Sequence, residues 1–239
     1  MTIMCIVYGS LSLFFVYKVD TVNDIGFYST KGISKSLLLR LPIISCWILY
    51  ALAYASIWRV RILPKCYQVA LVMIFLFTIG FAEELAFRGV ILPVLSKSWK
   101  HKKHGVIYAV LLSSFVYGSI HCISHFVSHF VSHDALLMAI MHVTTTTIFG
   151  MLMAVVLLHT RNIWGVIILH ALYDLLDVLQ DFVFPQGYYM SVTKEVNKLL
   201  GTSFEVRGRT DWIILLVFHL PILVAAIIYL RKILGNQEG

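Results

Sequence analysis

The chain has 239 residues, 59% hydrophobic and 13% charged, with a formal net charge of +7. A soluble domain is about 45–50% apolar and about 25% charged, so this composition excludes an ordinary soluble globule and points to the bilayer. There the positive charge belongs to loops that face anionic lipid, and nucleic acid is not expected as a partner.

A hydrocarbon core of about 30 Å needs about 20 mainly apolar residues per spanning helix, and seven segments meet or approach that length. In chain order they are Thr2–Tyr17, Ser36–Trp58, Gln68–Leu95, Val106–His121, Ala135–Leu158, Ile163–Phe184 and Trp212–Leu230. Strand-like alternation is absent, and backbone groups in lipid must be satisfied internally, so all seven are expected to be helical. The predicted architecture is an all-α, polytopic transmembrane bundle, one integral membrane domain over 1–239. The N-terminus is apolar almost from Met1, with no basic n-region and no small-residue cleavage site. It is expected to be a spanning or half-spanning helix and not a removable signal peptide. Cys5, Cys46, Cys66 and Cys122 read as small buried hydrophobes without metal-ligand spacing.

The loops carry the charge. One side collects Arg59, Arg61, Lys65, Lys194, Lys198, Arg207 and Arg209. The other collects Lys18, Lys31, Lys35, the lysines of the 96–105 loop, Arg161, Arg231 and Lys232. The bias favours a cytoplasmic C-terminus. The longest polar stretch, 186–211, is expected to hold a short interfacial helix over 191–200.

Ionisable residues inside spans are costly and need partners or a wet cavity. In Phe81-Ala-Glu83-Glu84-Leu-Ala-Phe-Arg88-Gly89, Glu84 and Arg88 are four residues apart and can pair on one helical face. Glu83 points about 100° away. A helix-packing salt bridge accounts for Glu84 and Arg88 but leaves Glu83 without a partner, which favours a catalytic carboxylate. His121, in Tyr117-Gly-Ser-Ile-His121, can cap, line an interface or act chemically. His170 and Asp174 share a face, so Asp174 can orient the imidazole through one nitrogen and leave the other for substrate or metal. His121, His125, His129 and His133 recur every fourth residue, a spacing that can bind zinc. A structural role is preferred for the last three. Thr144 to Thr147 read as helix packing.

Together these residues resemble the CPBP intramembrane proteases, which include CAAX prenyl endopeptidases and the bacteriocin-processing or immunity proteins called Abi. Glu83, Glu84 and Arg88 match the family's Glu-Glu-x-x-x-Arg motif. His121 matches Phe-x-x-x-His, with Tyr117 in place of the usual Phe. His170 and Asp174 match His-x-x-x-Asn or Asp, and Phe149-Gly150 through Asn162-Ile-Trp resembles the stretch before it. The motif match covers roughly Phe81 to Asp174, within a CPBP-like core of about 68–184.

The resemblance implies an intramembrane endopeptidase in a bacterial cell membrane. It implies that Glu83 with His121 activates water and that His170 and Asp174 stabilise the oxyanion or position that water. Glu84 and Arg88 would support the site. Two chemistries stay open: a metal-independent glutamate mechanism, and a zinc site using Glu83, His121 and His170. The His-Glu-x-x-His signature is absent. Expected partners are a peptide or lipidated-protein substrate (a CAAX-type tail, a bacteriocin leader or a pheromone-like peptide) and membrane lipid. The competing expectations are a non-catalytic immunity or regulatory protein with the same fold, and a His-rich metal or proton transporter.

Overall fold

The computed structural model describes residues 2–38, 66–129, 133–183 and 209–235. The elements are α1 (Thr2–Lys18), α2 (Ile33–Leu38), α3 (Cys66–Glu84), a π-helical segment (Leu85–Ile91), α4 (Leu92–Ser98), α5 (Gly105–His129), α6 (His133–Thr160), α7 (Ile163–Val183) and α8 (Arg209–Gly235). No strand occurs among the described residues. The helix expected over 36–58 lies outside the described residues beyond Leu38, as does the short helix expected over 191–200. The other six expected segments are helical over their described residues, and α5 runs on past His121 to His129. Among the described residues, two helical stretches are long and apolar enough to cross a membrane, Ala70–Ser98 and Ala139–Thr160. Ile6–Lys18, Gly105–His121 and Ile163–Leu175 are apolar but shorter.

Helix α6 is the axis of the bundle. Its residues Leu152 to Leu157 are each no more than 2% exposed, so this stretch of the helix is enclosed on every side. Helices α5 and α8 make its largest contacts, and α7, α2 and the π segment also touch it. Helix α3 packs on α7, and α1 packs on α3 and the π segment. The outward faces of α1, α5 and α8 carry large exposed apolar side chains, including Leu11, Phe14, Phe115 and Val224.

The sequence suggests one uninterrupted α-helix over 68–95. The structure instead widens it into a π turn between Glu84 and Leu92. The backbone N–H of Leu92 donates to Phe87 O, five residues back. Pro93 supplies the local reason. It has no N–H to donate, and its ring disfavours a close carbonyl four residues back, at Gly89. Thr21 Oγ1 donates to the Gly89 carbonyl at 2.6 Å, a buried bond between the loop after α1 and the π segment. The glycine also lets α1 approach closely: a Cβ at position 89 would meet Val16 Cγ2 at 2.9 Å.

The loop after α1 is tied to the start of α7. Asn162 caps that helix, accepting from the Gly165 N–H at 2.8 Å. Its amide nitrogen donates to Ser29 O at 2.5 Å and to Lys31 O at 3.1 Å. Trp164 Nε1 donates to Phe27 O at 2.7 Å, and Ile163 N to Ile25 O at 2.9 Å. These bonds hold the entry of α7, and hence the height of His170 in the bundle.

Candidate active site

Four elements bring the polar residues of the apolar segments to one place. The end of α3 supplies Glu83 and Glu84, and the π segment supplies Arg88. Helix α5 supplies Tyr117 and His121, and α7 supplies His170 and Asp174. These residues fall into two layers by exposure.

The inner layer is dry. Glu84, Arg88 and His170 are 0%, 1% and 2% exposed. Arg88 Nε lies 3.2 Å from Glu84 Oε2, the pair that four-residue spacing predicts. The other oxygen, Glu84 Oε1, accepts from His170 Nδ1 at 2.6 Å. Arg88 Nη2 donates to the Gly150 carbonyl at 3.1 Å. The remaining guanidinium nitrogen, Nη1, is buried without a hydrogen-bond partner among the described residues. The face of the Tyr117 ring, 4.4 Å from Arg88 Cζ, offsets part of that loss through a cation–π contact.

The outer layer is partly open. The side chains of Glu83, His121 and Asp174 are 22%, 29% and 27% exposed. Three groups converge on Glu83 Oε2. Tyr117 donates its hydroxyl at 3.2 Å, His121 Nε2 lies at 3.3 Å and His170 Nε2 at 3.7 Å. Asp174 Oδ2 lies 3.4 Å from the same His170 Nε2. His121 Nδ1 lies 2.9 Å from the Tyr117 carbonyl, which can only accept, so that ring nitrogen carries a proton. His170 Nδ1 is likewise a donor, to Glu84. Both imidazoles therefore turn Nε2 toward Glu83. A carboxylate oxygen and two Nε2 lone pairs would repel one another, so the cluster must hold a proton between them. A group that holds and releases a proton at such a point is what general acid–base chemistry requires.

Asp174 Oδ2 meets His170 Nε2, the pairing that four-residue spacing predicts. The other ring nitrogen is not left open for substrate or metal: Nδ1 bonds Glu84, from a different helix. Two contributors have weak sequence signals. The Tyr117 hydroxyl stands where Phe is usual in the motif. The Gly150 carbonyl belongs to a helical glycine whose Cβ position lies 3.1 Å from Arg88 Nη2. The ring of Phe149, beside it, packs edge-on against His170 with centroids 5.2 Å apart.

Glu83, His121 and His170 are the residues that would take a zinc ion. As placed, both Nε2 atoms aim at Glu83 Oε2 itself. No group of three or more His, Cys, Asp or Glu among the described residues is arranged to hold a metal ion. The side chains of His125, His129 and His133 lie outside the described residues.

A family model described as type II CAAX prenyl endopeptidase Rce1-like matches residues 65–176. The match runs from the start of α3 into α7 and contains every residue of the cluster. Neither the curated proteins nor the solved structures contain a match to this chain.

Proposed function

We propose that this protein is an intramembrane endopeptidase, because residues 65–176 match the family model of the Rce1-like type II CAAX prenyl endopeptidases, a group within the CPBP intramembrane proteases. Its substrate is a membrane-associated peptide or lipidated protein. The observation that carries the mechanism is the convergence of His121 Nε2, His170 Nε2 and the Tyr117 hydroxyl on Glu83 Oε2, within 3.7 Å.

Glu83 accepts a proton from water, with His121 beside it sharing that proton. The hydroxide oxygen forms a bond to the scissile carbonyl carbon, and the carbonyl electrons move onto its oxygen. His170 Nε2–H, on a ring fixed by Glu84, faces that oxyanion. Collapse breaks the C–N bond, and the proton held at Glu83 and His121 passes to the departing amine. Asp174 as a carboxylate cannot donate to an oxyanion, so its role is to hold the Nε2 side of His170. Glu84 and Arg88 position the other groups. No step is derived through a metal.

The whole chain is read as one membrane domain with seven spans. The exposed apolar faces of α1, α5 and α8 support that placement, because patches of this kind are uncommon on soluble monomers. The basic 96–105 loop and the C-terminus are placed on the cytoplasmic side.

The test uses purified protein in lipid vesicles with a farnesylated peptide carrying a C-terminal CAAX tail, its products read by mass spectrometry. Glu83→Gln and His121→Ala should each lower the cleavage rate by about 10²-fold or more while the protein inserts and folds. Undiminished cleavage in Glu83→Gln would remove the mechanism. A cellular function that survives Glu83→Gln would favour a binding protein built on the same fold.

A further inference from the structure

A cavity of about 640 Å³ lies among the end of α4, the loop to α5, the end of α6 and the end of α8. It shares no residue with the Glu83–His121–His170 cluster. Its rim is cationic, with Lys100, Lys102, Lys103 and Arg161. Its floor is apolar, with Leu92, Val106, Leu157 and Ile233 among the lining residues. Asp24 is the one carboxylate of the lining, and Lys97 already neutralises it at 2.8 Å. No acidic side chain among the described residues pairs with the four rim cations. Ser96 also lines the cavity, and its Oγ is buried with no hydrogen-bond partner among the described residues. Trp99 lies beside the rim, with Lys102 Nζ 5.5 Å over its ring.

A run of lysines alone is most often a solvated face. Here the lysines border a concavity of ligand size whose interior is apolar and which holds a hydroxyl in need of a partner. Positive charge at a mouth, a hydrogen-bond donor inside and a hydrocarbon floor match one ligand chemistry, an anionic headgroup joined to an acyl chain.

We propose that this cavity is a binding site for an anionic phospholipid, its phosphate held by the Lys100, Lys102, Lys103 and Arg161 rim and its upper chain lying on Leu92, Val106, Leu157 and Ile233. The inference rests on the membrane placement above but not on the peptidase mechanism. Its readout is lipid binding, so failure of cleavage leaves it standing.

The experiment is native mass spectrometry of the full chain in detergent, titrated with dioleoylphosphatidylglycerol, with dioleoylphosphatidylcholine and with inorganic phosphate. The anionic lipid should bind about tenfold more tightly than the zwitterionic one. The triple variant Lys100→Gln, Lys102→Gln, Lys103→Gln should remove that preference. Val106→Trp, which fills the floor and keeps every charge, should weaken the anionic lipid by about tenfold. Ile233→Trp repeats that arm from a different helix if Val106→Trp fails to fold. Equal binding of the two lipids would overturn the proposal, as would a preference that survives the triple variant. Floor variants that bind like the parent protein would reduce the effect to loop electrostatics. Inorganic phosphate displacing the lipid at equal concentration would make the site an anion site with no lipid specificity.

Discussion

His170 Nδ1 donates to Glu84 Oε1 across 2.6 Å, although the two residues are 86 positions apart in the chain. The bond joins α7 to α3 in the dry interior and sets the plane of the imidazole whose other nitrogen faces Glu83. It also gives Glu84 two partners, His170 on one oxygen and Arg88 on the other. The two adjacent glutamates thus do different things, one inside the packing and one facing the opening.

That difference is measurable. Glu84→Gln should destabilise the protein by about 3–5 kcal/mol, because it leaves Arg88 buried without its counter-ion. Glu83→Gln should leave stability nearly unchanged, since that side chain is partly open. Thermal unfolding of both variants in the same detergent decides it, and equal melting temperatures would contradict the two-layer description.

Tyr117 offers a separation of ring from hydroxyl. The ring lies under Arg88 and edge-on to Phe87, with centroids 5.0 Å apart, while the hydroxyl reaches Glu83. Tyr117→Phe keeps the ring and should cost about 0.5–1.5 kcal/mol of stability. Tyr117→Ala should cost about 3–5 kcal/mol. If the phenol tunes Glu83, Tyr117→Phe also changes the cleavage rate of a protein that stays folded. An unaltered rate would leave the hydroxyl a packing detail.

Gly150 should not accept a methyl group. A Cβ there would sit 3.1 Å from Arg88 Nη2, 3.2 Å from Ser114 Cβ and 3.2 Å from Tyr117 Cδ1. Gly150→Ala is expected to cost about 1–3 kcal/mol as overpacking and to lower activity by displacing Arg88. Gly235→Ala is the matched control, because among the described residues a Cβ there meets nothing within 4 Å. Chemical unfolding of the pair should show a loss at position 150 alone.

The π turn gives a fourth expectation. Thr21→Val keeps the side-chain shape but removes the buried side-chain donor to Gly89 O. The cost should be about 1–3 kcal/mol. Hydrogen exchange should report faster opening around residues 85–91, and a protection pattern like that of the parent protein would show that the π segment does not depend on Thr21.

Much of this protein is determined by local sequence alone. Long apolar runs yield helices, and the segments expected over 2–17, 106–121, 135–158 and 163–184 follow from composition and length, the last described as far as Val183. The Glu84–Arg88 pair follows from four-residue spacing on one helix. The motif resemblance names the residues that gather at the site, and the structure brings Glu83, His121, His170 and Asp174 together. What spacing cannot reach are contacts set by packing between helices. Tyr117 meets Glu83 across 34 residues, Thr21 meets Gly89 across 68, and Glu84 meets His170 across 86. Periodicity fixes which residues share a face of one helix, but not which neighbouring helix that face meets or at what height. For that reason spacing predicts Asp174 at one nitrogen of His170, and only the packing of α3 against α7 places Glu84 on the other. The same holds for Pro93, which lies inside the helix expected over 68–95. That it opens a π turn, and that Thr21 closes the gap, was decided only when α1 packed beside it.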